Sequence, residues 1–143
     1  MTRSYSELMS LGSFEERFEY LKLSGRVGDD IDGHSRAVLQ DFYRTSQWKS
    51  VRNQVIVRDE GCDLGDPSRP IFGPIHIHHI NPITDQEVAR VASSIWDPEN
   101  LICTTGVTHR AIHYGNAGSL FQEPVERTPN DTCPWKGGTS NAR

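Results

Sequence analysis

Ile77-His78-His79-Ile80-Asn81-Pro82, then Asn100-Leu101-Ile102-Cys103, then His109-Arg110-Ala111-Ile112-His113: the reading of these three pieces decides the fold. Five of the six histidines in the chain lie between Ile75 and Tyr114. The first piece reads as a strand that ends at Pro82. The second is an apolar return into a core, and the third lies on a short helix from Val107 to Tyr114, closed by Gly115. A His-His pair, one Asn and two histidines four apart are residue types that a metal-dependent phosphodiesterase uses.

On that helix His109 and His113 fall on one face, close enough to share an ion. His78, from the neighbouring strand, completes three imidazoles with positions left open for water and phosphate. Open positions mark a catalytic site, whereas structural sites are closed. His76 shares the ideal face of His78 and is the rival for the third ligand position; otherwise it is a half-exposed strand histidine. His79 points the other way in an ideal strand, so it reaches the same phosphate only where the strand ends or bulges, and Pro82 provides an ending. An imidazole titrating near neutrality suits the base that deprotonates water while a cation takes up charge on the phosphoryl and leaving oxygens. Asn100, in the turn Asp97-Pro98-Glu99-Asn100, can donate to and accept from backbone groups and so hold strand and helix in register.

Upstream, Ser13-Phe14-Glu15-Glu16 forms a capping box for a helix that carries Phe14, Phe18 and Leu21 on one face and ends at Gly25 and Gly28. It reads as an amphipathic helix packed on the core, or else as an acidic arm that docks a protein partner. A second helix spans Ser35 to Tyr43 with Val38, Leu39 and Phe42 inward. A third, capped by Ser46, runs to Asp59 with Trp48, Val51 and Val55 as its stripe, and Gly61 stops it. Lys49, Arg52 and Arg58 lie outside that stripe, where a charge row is a solvated face or a phosphate contact; Trp48 reads as core. Lys49, Arg52 and Arg110 are the candidates for nucleic-acid contact. Asp63 to Pro74 is turn-rich, and Ile71-Phe72 with Ile75–Ile80 reads as two strands around Gly73-Pro74. Thr84 with Glu87 caps a helix reaching Val91.

At 143 residues there is room for one domain plus extensions, and 35% apolar residues is low for a compact globule of that size. The expected organisation is α+β, with an acidic helical arm over 1–33, a central domain over 34–118 and a flexible tail over 119–143, Pro134-Trp135 being a docking point. No apolar run approaches the ~20 residues that span a bilayer, and Met1-Thr-Arg-Ser-Tyr-Ser-Glu lacks a secretory core, so no membrane association and an intracellular location are expected. Cys62, Cys103 and Cys133 form no Cys-x-x-Cys pair, which excludes a four-thiolate knuckle and leaves free thiols. A net charge of −4 argues against coating DNA by bulk electrostatics. Residues 34–60, however, hold Arg36, Arg44, Lys49, Arg52 and Arg58 against fewer acids, enough for a local basic surface.

The pattern His78-His79-Ile80, Asn100-Leu101, His109 and His113 resembles the HNH endonucleases, whose ββα-metal motif is two strands followed by a helix around one divalent ion. The separations from Asn100 to His109 and from His109 to His113 are similar to those of the colicin-type DNases. Trp48-Lys49-Ser50-Val51-Arg52 through Val57-Arg58-Asp59 is similar to the helix that precedes the motif. The run from Phe14-Glu15-Glu16-Arg17-Phe18 to Ala111-Ile112-His113-Tyr114-Gly115 resembles HNH proteins of tailed bacteriophages; the likeness covers about residues 13–116. The resemblance implies a ββα-metal core, metal binding by His78, His109 and His113, a general base in His79 and a loop-fixing role for Asn100. It further implies nicking or double-strand cleavage of DNA in the cytoplasm of a bacterial host, with helix and basic side chains gripping the minor-groove side of the backbone. Two Cys-x-x-Cys knuckles common in the family are reduced here to Cys62 and Cys103, and the His79–Asn100 segment is longer than in the colicin branch.

Three neutral imidazoles suit zinc, nickel, cobalt or manganese, whereas magnesium prefers oxygen ligands; the resemblance implies turnover with magnesium or manganese. No small-molecule organic cofactor is expected. The acidic balance and the lost knuckles also fit a second role, a DNA- or metal-binding accessory of a phage packaging assembly, with packaging proteins as partners. A purely structural zinc domain would need neither a base nor an open position.

Overall fold

The computed structural model describes residues 3–22 and 31–114. Six helices and two strands follow in order: α1 Tyr5–Met9, α2 Phe14–Leu21, α3 Gly33–Phe42, α4 Ser46–Arg58, β1 His76–His79, α5 Asp85–Ala89, β2 Leu101–Thr104 and α6 Gly106–Tyr114. This is a mixed helix-and-sheet architecture, as the α+β expectation has it. No helix among the described residues is long and apolar enough to cross a membrane.

Polar caps start most of these helices. Ser13 Oγ accepts from Glu16 N at 3.1 Å and Glu16 Oε1 accepts from Ser13 N at 3.2 Å, the expected capping box. Thr84 and Glu87 form the same box on α5, which stops at Ala89, short of Val91. Two starts differ from expectation. Asp32 caps α3 by accepting from Ser35 N at 2.7 Å, so that helix opens at Gly33. Thr45 rather than Ser46 caps α4, accepting from Trp48 N at 3.2 Å. Both are side-chain oxygens three residues before an amide they satisfy, and the neighbour that matches that spacing wins. Gly61 ends the α4 region with φ +65°, a conformation that costs glycine nothing.

The sheet corrects one expectation. Ile71-Phe72 is a loop, not a strand, and Phe72 is 93% exposed. The partner of β1 is β2, antiparallel, with His76 opposite Thr104, Ile77 opposite Cys103, His78 opposite Ile102 and His79 opposite Leu101. Every residue of β2 is buried, so this pairing removes far more apolar surface from water than a hairpin through Gly73-Pro74 would. Pro74 also lacks the amide a tight ladder needs.

Because β2 is buried on both faces, it divides the core. Ile102 packs with Leu8, Phe14, Phe18 and Leu21 of α1 and α2, and with Ile112 of α6. Leu101 and Cys103 pack on the other face against Trp48 and Val55 of α4. Leu39, Ile83, Val88 and Ile95 form a third cluster beneath the segment joining the strands. The N-terminal helices are therefore part of the core, which is the amphipathic-helix reading. The expected endings at Gly25, Gly28 and Gly115, the tail with Pro134-Trp135, and Cys133 lie outside the described residues.

Candidate metal centre

Strand alternation sends His78 toward α6 and His79 toward α4. His78 lies edge-on to His109 and His113, at ring-centroid distances of 5.2 and 5.3 Å and interplanar angles of 73° and 84°. His109 and His113, one helical turn apart on α6, are themselves edge-on, with their Nε2 atoms 3.1 Å apart. One ring nitrogen from each of the three lies within 4.8 Å of the others. The His109–His113 Nε2 separation suits shared ligation, in which nitrogens about 2 Å from a tetrahedral ion sit a little over 3 Å apart, and His78 brings a third ring nitrogen near both.

The chemistry of the donors fits a metal too. His78 is 2% exposed, and its buried Nε2 has no hydrogen-bond partner among the described residues, a costly state for a polar atom that a bound cation would relieve. Burial, with the neighbouring imidazoles adding to it, pushes His78 well below its ordinary value. His109 is lowered to about 4, first by burial and then by His113 and His76. Both rings are thus neutral at pH 7, the form that ligates. Among the described residues no cysteine joins such a group. Cys62 and Cys103 are buried free thiols, and burial beside Asp59 pushes Cys103 up to about 12.

His79 stands apart from this set. Its ring stacks on Trp48 at 6.1 Å and 27°, and its Nε2–H donates to the Ile95 carbonyl at 2.9 Å. A carbonyl only accepts, so in the neutral ring Nδ1 keeps the lone pair. Burial lowers the His79 pKa, while the Ile95 carbonyl and the Glu87 carboxylate pull it the other way. β1 ends at His79, the strand ending that the sequence reading asked for in place of a bulge. A cleft of about 740 Å³ is bordered by Ile75 through His79 together with Trp48, His109 and His113, so it wraps the edge of β1 that no described strand pairs with and meets both faces.

No protein-family model, curated protein or solved structure matches this chain.

Asn100 is buried and ties the site's supports together. Its Oδ1 accepts from Asn81 N and Asn81 Nδ2, both at 2.8 Å, and its Nδ2 donates to Ser94 O at 2.9 Å. Ser94 precedes Ile95, whose carbonyl holds His79, so Asn100 steadies the backbone that fixes the ring. Asn81 carries the clasp to the N-terminus by donating to Arg3 O at 2.7 Å.

The basic candidates separate. Arg52 and Arg110 border the cleft, Arg52 also donating to Ile75 O at 3.3 Å. Lys49 is exposed on a smaller neighbouring hollow with Tyr43 and Asn53. Arg58 is committed elsewhere: it donates to Pro98 O and Leu101 O, each at 2.7 Å, pairs with buried Asp59, and lies 3.4 Å over the Tyr5 ring. Sequence reasoning missed the Trp48–His79 stack and Asp63. The Asp63 carboxylate accepts from Thr105 N at 3.2 Å and Thr108 Oγ1 at 2.5 Å, anchoring the start of α6. Nothing in the residue pattern pointed to either contact.

Proposed function

We propose that this chain is a metal-dependent HNH-type endonuclease that hydrolyses DNA phosphodiester bonds, with β1, β2 and α6 as its ββα-metal core. The observation that carries the reading is the division of labour among the histidines. Three converge with a buried, unpartnered nitrogen among them, and a fourth is held separately in the tautomer that leaves Nδ1 basic, on the same cleft. A structural metal site has no use for the fourth.

His78, His109 and His113 would hold one divalent ion, which supplies Lewis-acid charge to the phosphoryl and leaving oxygens. His79 Nδ1 takes a proton from the attacking water, whose oxygen bonds to phosphorus as the P–O bond to the leaving strand breaks. That leaving oxygen takes its proton from solvent. The Ile95 carbonyl, accepting from Nε2–H, favours the imidazolium formed in this step, and the Trp48 face limits ring rotation. Asn100 acts through Ser94 and Ile95 and is a positioning residue. By ligand chemistry three imidazoles suit manganese, nickel or zinc, and magnesium is a candidate through the family resemblance.

Supercoiled-plasmid nicking by the wild type and by His79→Ala, each with magnesium, manganese, nickel or zinc, tests the reading. Wild type should nick and EDTA should abolish it. His79→Ala should lose on the order of 10²–10⁴-fold in rate while still binding metal. Absence of nicking with every ion, although metal is bound, would sink it and leave the accessory role.

A further inference from the structure

The metal cluster and His79 leave part of the cleft rim unexplained. His76 is exposed and stacks nearly parallel on His109, at 5.8 Å and 20°. A ring stacked this way presents its face to the cluster, and His76 is not among the residues whose nitrogens converge. Its ring nitrogens have no hydrogen-bond partner among the described residues. Arg110, on the next turn of α6, is exposed and has neither an ion pair nor a hydrogen bond among them.

Gly106 lies between the two. A Cβ added there would sit 3.3 Å from His76 Nε2 and 3.6 Å from Arg110 Nη1, its two nearest side-chain neighbours. Two nitrogen donors therefore converge on one gap, kept open because the first residue of α6 has no side chain. Among the described residues the cleft wall they join includes Arg52 and no Asp or Glu, in a chain whose net charge is −4. A guanidinium and an imidazole N–H around a gap, with no carboxylate to neutralise them, select an oxyanion.

We propose that His76 and Arg110, around the gap at Gly106, form a second phosphate subsite that grips the phosphodiester next to the one at the metal cluster. The cleft is then built for a polynucleotide strand rather than an isolated phosphodiester. This inference rests on the nuclease reading above. It requires of His76 only a donor N–H, which the neutral ring has.

The test compares wild type, His76→Ala, Arg110→Ala, Arg110→Lys and Gly106→Ala on two substrates, a short DNA duplex and bis(p-nitrophenyl) phosphate, whose single phosphodiester has no neighbour. Metal affinity is read by nickel titration, and duplex binding is measured against salt in metal-free buffer. His76→Ala and Arg110→Ala should lower kcat/KM on the duplex on the order of tenfold, mainly through KM, as loss of a charge-assisted contact predicts. Hydrolysis of bis(p-nitrophenyl) phosphate and nickel affinity should stay at wild-type levels. Arg110→Ala should flatten the slope of log K against log salt by about 0.9, whereas Arg110→Lys should keep the slope. Gly106→Ala, which retains both donors but narrows the gap, should raise KM for the duplex alone.

Wild-type duplex kinetics and salt slope in both alanine variants would overturn the subsite while leaving the nuclease reading intact. Loss of nickel binding in His76→Ala would overturn it differently, by making His76 a metal ligand. If wild type hydrolyses neither substrate, the nuclease reading fails, and the metal-free salt slope decides the subsite by itself: a flattened slope in Arg110→Ala supports it, and an unchanged one ends it.

Discussion

Asn100 shows how much one side chain can hold here. Its amide spends both ends on the loop between the strands, accepting from Asn81 and donating to Ser94 O at 2.9 Å. Removing it leaves the part-buried Asn81 amide and Ser94 carbonyl without their partner, which costs more than the small net worth of a hydrogen bond. Asn100→Ala should therefore lower unfolding free energy by about 2–4 kcal/mol in urea titrations. It should also cut nicking at temperatures where the variant is fully folded, because the Ile95 carbonyl no longer holds His79 in place. A stable variant with wild-type turnover would show that the clasp does not position the ring. The role of Asn100 was legible in the sequence as an Asn in a turn before an apolar strand. Its route to His79 was not, since it runs through the backbone of Ser94 and Ile95, and a carbonyl leaves no trace in residue identity.

At the scale of elements, α6 carries two of the three converging imidazoles, so whatever anchors α6 sets the site. Thr105 Oγ1 accepts from Thr108 N at 3.0 Å, and the Asp63 carboxylate reaches both threonines from the short 3-10 helix Asp63–Gly65. Burial raises the Asp63 pKa, with Thr108 and the Thr105 amide pulling it back. Asp63→Ala should cost about 1–3 kcal/mol in stability. It should also weaken metal binding roughly tenfold by titration, since outer supports of ligands carry effects of that size. Asp63→Asn, which keeps an acceptor, should recover part of both losses. If metal affinity were unchanged in Asp63→Ala, α6 would owe its position to packing of Ala111 and Ile112 alone. The helices themselves were largely readable from caps and stripes. The strand partner was not: Ile71-Phe72 is as apolar locally as Leu101-Ile102, and only the two-sided burial of β2 separates them.

For the whole molecule, the imidazole cluster should make stability depend on pH and on any ion it holds. His78 and His109 are held below the ordinary 6.5, His109 at about 4, by burial first and by neighbouring imidazoles second, His109 acting on His78 and His113 on His109. As pH falls below about 6.5 the unfolded chain takes up protons that the folded chain refuses. Stability is thus fully present above 6.5 and is lost progressively down toward 4. Asp63, raised by burial, works in the opposite sense, as a single carboxyl set against at least two imidazoles. Tm of the metal-free protein should drop on the order of 10 °C between pH 7 and pH 5. Nickel or zinc at neutral pH should raise Tm, and the gain should shrink as protons compete for the same nitrogens. A flat Tm across that range in EDTA would mean that His78 and His109 are not held together beneath the surface as described.

What the chain determined by itself was the set of parts. Helix caps, apolar stripes, two histidines at a four-residue spacing and an Asn before a strand are local patterns, and local patterns are written in neighbouring residues. What the tertiary structure decided were relations between distant ones. It chose β2 over Ile71-Phe72 as the partner of β1, and put α1 and α2 into the core beside Ile102. It turned Arg58 into a clamp on β2 and set His79 against Trp48 and the Ile95 carbonyl. Burial and backbone hydrogen bonding settle such choices, and both are properties of the whole packed chain rather than of any stretch of it.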